Sequence, residues 1–183
     1  MSSLLICSGG LDSVTLAYEL FSRKLLTKML SFNYGQRHQI ELEYAAEIAG
    51  KLNIPYECID ISSITSVFKG SALTDDINVP EGHYEADNMK TTVVPNRNTI
   101  MLSIAFGVAV SQDISRVATA IHAGDHFVYP DCRPSFAESF QIMQDEALKD
   151  IAKIDLLTPF VNFSKAEIVK VGNNLKVPFS QTW

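Results

Sequence analysis

The run Ser8-Gly9-Gly10-Leu11-Asp12-Ser13 near the amino end combines residue types that suit the binding of phosphate groups. The two glycines allow a sharp turn and a close approach of the backbone to a ligand. A helix that follows would present free N–H groups and the positive end of its dipole. The serines add hydroxyl donors, whereas Asp12 suits a Mg²⁺ ion or a helix cap. The run lacks the Walker and dinucleotide patterns, yet it predicts a nucleotide-phosphate loop formed by Ser8, Gly9, Gly10, Leu11, Asp12 and Ser13.

Four basic side chains stand in short polar motifs of a chain whose net charge is −6. Three of them follow a predicted strand or precede an apolar helix, and such positions converge on the ligand side of a sheet. Guanidinium groups match the oxygens of phosphates and carboxylates. For a single arginine, a solvated surface charge is the alternative. Together they predict an anion pocket formed by Arg37, His38, Arg97 and Arg133.

A second polar segment, His-Ala-Gly-Asp-His at residues 122–126, contains metal-ligand types in one loop. Without a further ligand elsewhere this is weak support for a metal site, and the pattern favours substrate contacts or loop structure for His122, Asp125 and His126. Cys132 follows in another polar loop, where we expect it to shape the ligand pocket rather than to act as a nucleophile.

The other two cysteines, Cys7 and Cys58, lie in apolar strand-like runs, so we expect buried and inert thiols. An odd number of cysteines at wide spacing predicts neither a disulfide framework nor a zinc knuckle.

Five short apolar runs are typical of buried strands, at residues 3–7, 29–32, 56–61, 115–121 and 156–157. Helical periodicity separates them, at residues 14–21, 37–53, 98–110 and 136–149. Ser164 and Glu167 form a capping box that predicts the start of a last helix. Strands that alternate with helices pair in parallel through right-handed crossovers. The predicted fold is a doubly wound, mostly parallel five-stranded α/β sheet with helices on both faces, of the Rossmann-like kind.

Residues 70–94 break this alternation with five acidic side chains and little periodicity. A loop of that length is typical of a functional lid or a disordered insertion, and a solvated surface loop is the alternative. The length of 183 residues otherwise predicts a single domain at 1–183.

Composition narrows the class of partner. A sequence pI near 5.1 argues against a surface that neutralises nucleic acid. No apolar stretch approaches the length of a membrane span, and no basic segment of a signal peptide precedes the first strand. We therefore expect a cytoplasmic protein without nucleic-acid or membrane partners.

The phosphate loop resembles the signature of the PP-loop ATP pyrophosphatases, which cleave ATP between the α and β phosphates. Within that group the chain is similar to the 7-cyano-7-deazaguanine synthases, in the stretches FNYGQRH (residues 32–38), VPNRN (94–98) and YPDCRP (129–134). Their order and spacing match too, so the resemblance covers essentially the whole chain.

This resemblance implies a fold of the adenine nucleotide alpha hydrolase type and an ATP-dependent ligase of the queuosine pathway. Such an enzyme converts 7-carboxy-7-deazaguanine and ammonia to the nitrile through an acyl adenylate, with ATP and Mg²⁺. A homodimer is a further expectation from the resemblance. The matching positions imply catalytic roles for Asp12, Ser13, Arg97 and Arg133. They imply substrate contacts for Arg37, His38, Asn98, Tyr129, Asp131 and Arg133.

The carboxyl end departs from the family pattern. Members carry four cysteines that bind a structural Zn²⁺ just beyond a Thr-Trp pair, and this sequence stops at Thr182-Trp183. We therefore expect the zinc segment to be missing from these residues. Two other readings stay open, namely another PP-loop enzyme (an adenylating amidotransferase or a thiolase) and a non-catalytic ATP-binding relative.

Overall fold

Five strands and six helices make up the regular structure of the computed structural model, which describes residues 1–36, 39–65 and 93–183. The strands are β1 (Ser3–Ile6), β2 (Leu26–Asn33), β3 (Tyr56–Asp60), β4 (Arg116–Ala118) and β5 (Asp155–Leu157). The helices are α1 (Leu11–Ser22), α2 (Ile40–Leu52), α3 (Ser62–Thr65), α4 (Arg97–Ser111), α5 (Pro134–Ala147) and α6 (Lys165–Asn174). No helix in this part of the chain is long and apolar enough to cross a membrane.

All five strands are parallel and lie in the order β3-β2-β1-β4-β5. The chain winds outward from β1 to β3 and then returns to β4 on the other side of β1. The point between β1 and β4 is therefore the topological switch point, where open α/β sheets bind ligands at the carboxyl ends of the strands. The loop that carries Ser8 begins at this point.

Successive side chains of a strand point to opposite faces, and the two central strands pack a helical layer on each face. Leu5 and Met29 belong to one core cluster, with apolar residues of α1, α2 and α6. Leu4 and Leu30 belong to the other, with apolar residues of α4 and α5. The predicted doubly wound fold is confirmed, and the sheet is parallel throughout.

The element boundaries differ modestly from the prediction. β2 begins three residues earlier than the apolar run at 29–32, whereas β4 covers only the first half of the run at 115–121. The capping box is confirmed, because Ser164 Oγ accepts from the Glu167 N–H and the Glu167 carboxylate accepts from the Ser164 N–H. The expectation for Cys58 is wrong: its thiol is exposed, because β3 is an edge strand of the sheet.

Two predictions fall outside the described residues. They are the lid or disordered loop at 70–94, of which only residues 93 and 94 are described, and the positions of Arg37 and His38.

Candidate active site

A cleft with a volume of about 260 Å³ opens at the switch point, beside the phosphate loop. Its walls come from the carboxyl ends of β1, β2 and β4 and from the first turns of α1, α2 and α4. Among the described residues, its polar lining consists of Ser8, Asp12, Ser13, Tyr34, Gln36, Glu41, Arg97, Asn98, Thr119, Asp125 and Cys132. Charged and hydroxyl groups from distant parts of the sequence thus converge on one side of the sheet.

Ser13 organises the phosphate loop from within. Its hydroxyl lies 3.2 Å from the Ser8 N–H and 3.2 Å from Ser8 Oγ, and it donates to the Gly10 carbonyl at 3.0 Å. Ser8 Oγ in turn accepts from the Gly10 N–H at 3.3 Å. Ser13 is buried while Ser8 is exposed. The first serine is therefore placed to meet a ligand, and the second holds the turn.

Helix α1 starts with free donors. Its N-cap is Gly10, which has no side chain to accept from the first turn, and the first intrahelical bond runs from the Val14 N–H to the Gly10 carbonyl. The N–H groups of residues 11–13 therefore have no intrahelical partner and point out of the helix end. Such an end binds anions. Asp12 was predicted either to bind Mg²⁺ or to cap the helix, and the capping role is wrong because Gly10 is the N-cap.

Gly9 is the one position of the loop that excludes any other residue. Its φ is +82°, and a Cβ added there would lie 1.9 Å from the backbone oxygen of Glu41. The positive φ belongs to the turn itself, whereas the clash arises because the first turn of α2 lies against the phosphate loop.

We expect Gly9→Ala to destabilise the protein by roughly 2–4 kcal/mol, since the clash is with backbone and the positive φ adds strain. Gly107→Ala is the matched control, because this helical glycine has open space where a Cβ would lie, and alanine is favoured there by about 0.5–1 kcal/mol. Thermal unfolding of both variants measures the difference. Equal unfolding midpoints for the two would contradict the close approach of α2.

Asp12 lies in a charged cluster beside the loop. Lys165 Nζ donates to Asp12 Oδ2 at 2.5 Å, and His122 Nε2 lies 3.5 Å from the same oxygen. Burial alone would raise the pKa of Asp12, but hydrogen bonds from His122 and Lys165 and the charge of Lys165 outweigh it and lower that pKa below its ordinary value. Asp12 is therefore ionised at neutral pH.

His122 connects Asp12 to a second carboxylate. Its Nε2 also lies 3.5 Å from Asp125 Oδ2, and its Nδ1 accepts from the Gly124 N–H at 3.0 Å. Because Nδ1 is an acceptor, the proton of the neutral ring sits on Nε2, which faces both carboxylates. Burial raises the pKa of Asp125. His122, itself buried, thus keeps two acidic side chains together beside the phosphate loop.

This pair of carboxylates fits Mg²⁺, which binds one or two carboxylates together with phosphate oxygens. Asp12 Oδ1 is buried and has no hydrogen-bond partner in the described structure, so it is available to a cation. For Zn²⁺ the result is different. In residues 1–36, 39–65 and 93–183 no three His, Cys, Asp or Glu side chains are grouped to hold a metal, so these residues supply no ligand set for the zinc that the resemblance implies.

Arg97, the first residue of α4, lines the cleft together with the phosphate loop. Its Nη1 lies 3.5 Å from the Tyr34 hydroxyl, and its guanidinium carbon lies 5.6 Å and 5.8 Å from the ring centroids of Tyr34 and Tyr129. Contacts of this kind stabilise the cation without neutralising it. Within the described residues Arg97 has no ion-pair partner. Its charge interacts with the Asp131 and Glu41 carboxylates without a close ion pair, and the guanidinium lines the cleft.

Asn98 and Asp131 bind each other. The Asn98 N–H donates to Asp131 Oδ2 at 3.1 Å, and Asn98 Nδ2 donates to the Asp131 carbonyl at 3.2 Å and lies 3.2 Å from Cys132 Sγ. Burial raises the pKa of Cys132 to about 12. The thiol is therefore protonated, and it lines the cleft as an apolar surface, in agreement with the sequence expectation.

The remaining predicted residues lie near the cleft to different degrees. Tyr129 reaches it through its contact with Arg97. Arg133 is exposed, and its Nε donates to the His126 carbonyl at 2.8 Å, outside the cleft lining formed by the described residues. The structure thus brings together Ser8, Asp12, Ser13, Arg97 and Asn98, with Asp131 and Tyr129 immediately behind them.

Two charged residues of the site were missed from the sequence. Lys165 directly follows Ser164, so the capping box that fixes the start of α6 also aims this lysine at Asp12. Glu41 lies in the first turn of α2, where an acidic residue is already explained by its favourable interaction with the helix dipole. In each case the local pattern has an ordinary structural explanation, and only the fold reveals the neighbour.

Comparison with known proteins identifies the family. The family model described as "Queuosine biosynthesis protein QueC" matches residues 2–183. The 7-cyano-7-deazaguanine synthase of Brucella anthropi is 56% identical over 183 residues, which is 100% of this chain and 79% of the relative. That of Sinorhizobium fredii is 55% identical, over 100% of this chain and 78% of the relative.

Solved structures with low identity share the fold. NMN synthetase from Francisella tularensis has a TM-score of 0.59 at 21% identity, covering 98% of this chain and 63% of its own. The NH3-dependent NAD synthetase of Campylobacter jejuni has a TM-score of 0.56 at 18% identity, covering 98% and 66%. These likenesses show the fold alone. The sequence match goes further: the chain belongs to the QueC family of queuosine biosynthesis proteins.

Proposed function

We propose that this protein is an ATP-dependent carbon–nitrogen ligase that converts 7-carboxy-7-deazaguanine and ammonia to 7-cyano-7-deazaguanine. Membership of the QueC family and the name of relatives at 55% and 56% identity support this assignment. The observation that carries it is one of geometry. The phosphate loop and the unpaired guanidinium of Arg97 line the same cleft, so an ATP phosphate and a carboxylate can meet there.

The first half of the reaction activates the acid. A carboxylate oxygen attacks the α-phosphorus of ATP, the bond to the β-phosphate breaks, and pyrophosphate leaves with the electron pair. The free N–H groups at the start of α1 and the Ser8 hydroxyl hold the phosphate oxygens. Lys165, next to Asp12, adds positive charge at the same end of the cleft. When bound, Mg²⁺ neutralises phosphate charge, and Asp12 and Asp125 would hold it.

Arg97 binds the acid in this scheme. A carboxylate is a poor electrophile, and its attack on a phosphate brings two anions together. A guanidinium held between two tyrosine rings offsets that repulsion and fixes the orientation of the attacking oxygen. The acyl adenylate that results has a good leaving group, AMP, for the attack of ammonia.

The second half repeats the activation on the amide. The amide oxygen attacks the α-phosphorus of a second ATP and pyrophosphate leaves. The carbon–oxygen bond then breaks, AMP carries the oxygen away, and loss of the two N–H protons gives the nitrile. Both halves use the same phosphate loop and the cleft beside it.

Other parts of the assignment stay predictions. We predict that the substrate is contacted by Arg37, His38, Tyr129 and Arg133. We also predict ammonia as the nitrogen source, a homodimer, a cytoplasmic location, a single domain over 1–183 and no nucleic-acid partner.

Incubation of the protein with ATP, ammonia and the deazapurine acid tests the proposal. We expect pyrophosphate, AMP and products with the masses of the amide and the nitrile. Parallel incubations that lack the acid or ammonia are the controls. Pyrophosphate without a nitrogen-containing product would point to another PP-loop reaction. ATP binding without any pyrophosphate would favour a non-catalytic relative and overturn the proposal.

A further inference from the structure

Glu41 is a charged group of the cleft that the scheme above leaves without a role. It lies in the first turn of α2 and lines the cleft together with Ser8, Tyr34 and Arg97. Its side chain is half-buried. Since burying a carboxylate is unfavourable without a partner, its presence here calls for a ligand or a chemical function.

The backbone fixes Glu41 relative to the phosphate loop. The absence of a Cβ at Gly9 lets the Glu41 carbonyl approach the loop, to a point only 1.9 Å from where that Cβ would stand. A movement of the loop would therefore meet the first turn of α2. The backbone from which the Glu41 side chain extends into the cleft is therefore fixed beside the loop.

Glu41 and Arg97 line the same cleft. The two charges interact, as the effect of Arg97 on the pKa of Glu41 shows, yet no close ion pair joins these two described residues. Opposite charges that line one cleft suit a ligand that carries both an anionic and a proton-bearing group. The guanidinium suits the carboxylate or phosphate side of an acyl adenylate, and the carboxylate suits a group that carries protons.

Burial raises the pKa of Glu41 to about 7, because the attraction of Arg97 only partly offsets the loss of water. Burial raises the pKa of Asp125 as well, whereas that of Asp12 is lowered. Asp12 is held ionised by Lys165 and His122, and Asp125 lies against His122. Among the described residues, the charged and titratable groups that interact with Glu41 are Arg97 from α4 and the Tyr34 hydroxyl beyond β2. Glu41 can therefore accept and return a proton near neutral pH.

We propose that Glu41 is the general base that removes protons from nitrogen in the two nitrogen-dependent steps. This inference rests on the proposed function. As ammonia attacks the acyl carbon, the carbon–nitrogen bond forms, the carbon–oxygen bond to AMP breaks, and AMP leaves with the electron pair. The extra proton on nitrogen passes to a Glu41 carboxylate oxygen. In the second half Glu41 accepts the N–H protons in turn, as the activated amide becomes the nitrile.

Glu41→Gln tests the role, because glutamine keeps the shape and hydrogen bonds but cannot take the proton. Glu43→Gln is the matched control, a second acidic residue of the same helical turn that is exposed and outside the cleft lining. With acid and ATP alone, rapid quench measures pyrophosphate formed in the first turnover. Addition of ammonia, or of hydroxylamine, which is uncharged at neutral pH, then reports nitrogen incorporation by mass.

We expect Glu41→Gln to keep the pyrophosphate burst, because attack by a carboxylate needs no base, and to slow nitrogen incorporation by roughly 10²–10⁴-fold. With hydroxylamine the wild type should gain rate as pH rises through about 7, and the variant should lose that rise. Glu43→Gln should behave as wild type. If both half-reactions of Glu41→Gln fall together, or the pH profile keeps its shape, the inference fails. If the wild type forms no burst, the proposed function itself fails.

A second measurement guards against a folding defect. A raised carboxyl pKa means that the folded state binds the proton more tightly, so wild-type stability falls as pH rises from about 5 to about 8. Glu41→Gln should remove that fall and unfold at the same or a higher temperature at the upper end. A variant with a lower unfolding midpoint throughout this range would show that Glu41 is structural and would overturn the inference.

Discussion

Asp12→Asn should lower ATP turnover by roughly 10²–10³-fold, the range expected when an electrostatic group that acts on the reacting phosphates is removed. Asp12 is ionised because Lys165 and His122 hold its pKa low, and its Oδ1 has no partner in the described structure. Asparagine keeps the size of the side chain but removes the negative charge that would hold Mg²⁺ beside the phosphates. Steady-state pyrophosphate release measures the effect.

The same variant should keep its fold. The Lys165 side chain is 55% exposed, and pairs of that kind contribute about 0–1 kcal/mol to stability. Asp155→Asn is the control, since this exposed residue begins β5 at the end of the sheet opposite the cleft. An Asp12→Asn variant that lost stability in proportion to its activity would show instead that Asp12 belongs to the structure of the turn.

Raising the Mg²⁺ concentration adds a sharper test of the same residue. If Asp12 holds the cation, the variant should need more Mg²⁺ for half-maximal rate, whereas the wild type and Asp155→Asn should respond alike. If the variant needed no more Mg²⁺ than the wild type, its loss of activity would come from the lost negative charge alone. Asp12 would then not be a Mg²⁺ ligand.

The fold was predictable because its main signals are local. Short apolar runs separated by helical periodicity specify strands buried on both faces, and alternation of the two element types specifies parallel pairing. The position of β3 at the edge of the sheet was not predicted from the sequence. Nothing in the sequence of β3 distinguishes an edge strand from a central one, so Cys58 was expected to be buried and is exposed.

The site was predictable where its residues are contiguous in the sequence. It was not predictable where the fold brings together residues that are distant in the sequence. The phosphate loop is one run of residues, and its glycine requirement follows from the turn itself. Lys165 contacts Asp12 although 153 positions of sequence separate them. The raised pKa of Glu41 likewise arises only from its burial in the folded protein. Long-range neighbours of this kind depend on the strand order, in which β1 lies between β2 and β4.

Basic residues were predicted to converge as a set of four, and the structure separates the two that it describes. Arg97 lines the cleft, whereas Arg133 is exposed and donates to the His126 carbonyl. Both follow a short polar motif, so spacing alone could not distinguish them. The difference arises because Arg97 begins a helix whose first turn faces the switch point.

Arg97→Met is expected to weaken binding of the acid by roughly 10–100-fold, since a charge-assisted hydrogen bond contributes about 1.5–3 kcal/mol. Methionine fills the space between the rings of Tyr34 and Tyr129, so loss of packing is limited, and loss of the cation–π contacts costs about 0.5–2 kcal/mol of stability. Equilibrium binding of 7-carboxy-7-deazaguanine, in the absence of ATP, measures the effect without chemistry. The affinity for the product, 7-cyano-7-deazaguanine, should fall less, because its nitrile is uncharged.

Arg23→Met is the matched control, because Arg23 is an exposed arginine at the end of α1 that pairs with Glu19 and does not line the cleft. It should bind acid and nitrile as wild type does. The contrast between the two ligands carries the argument, since removal of a carboxylate-binding charge must affect the acid more than the nitrile. Equal weakening of both ligands in Arg97→Met would mean that Arg97 shapes the cleft through the tyrosines, and the carboxylate would then need another partner.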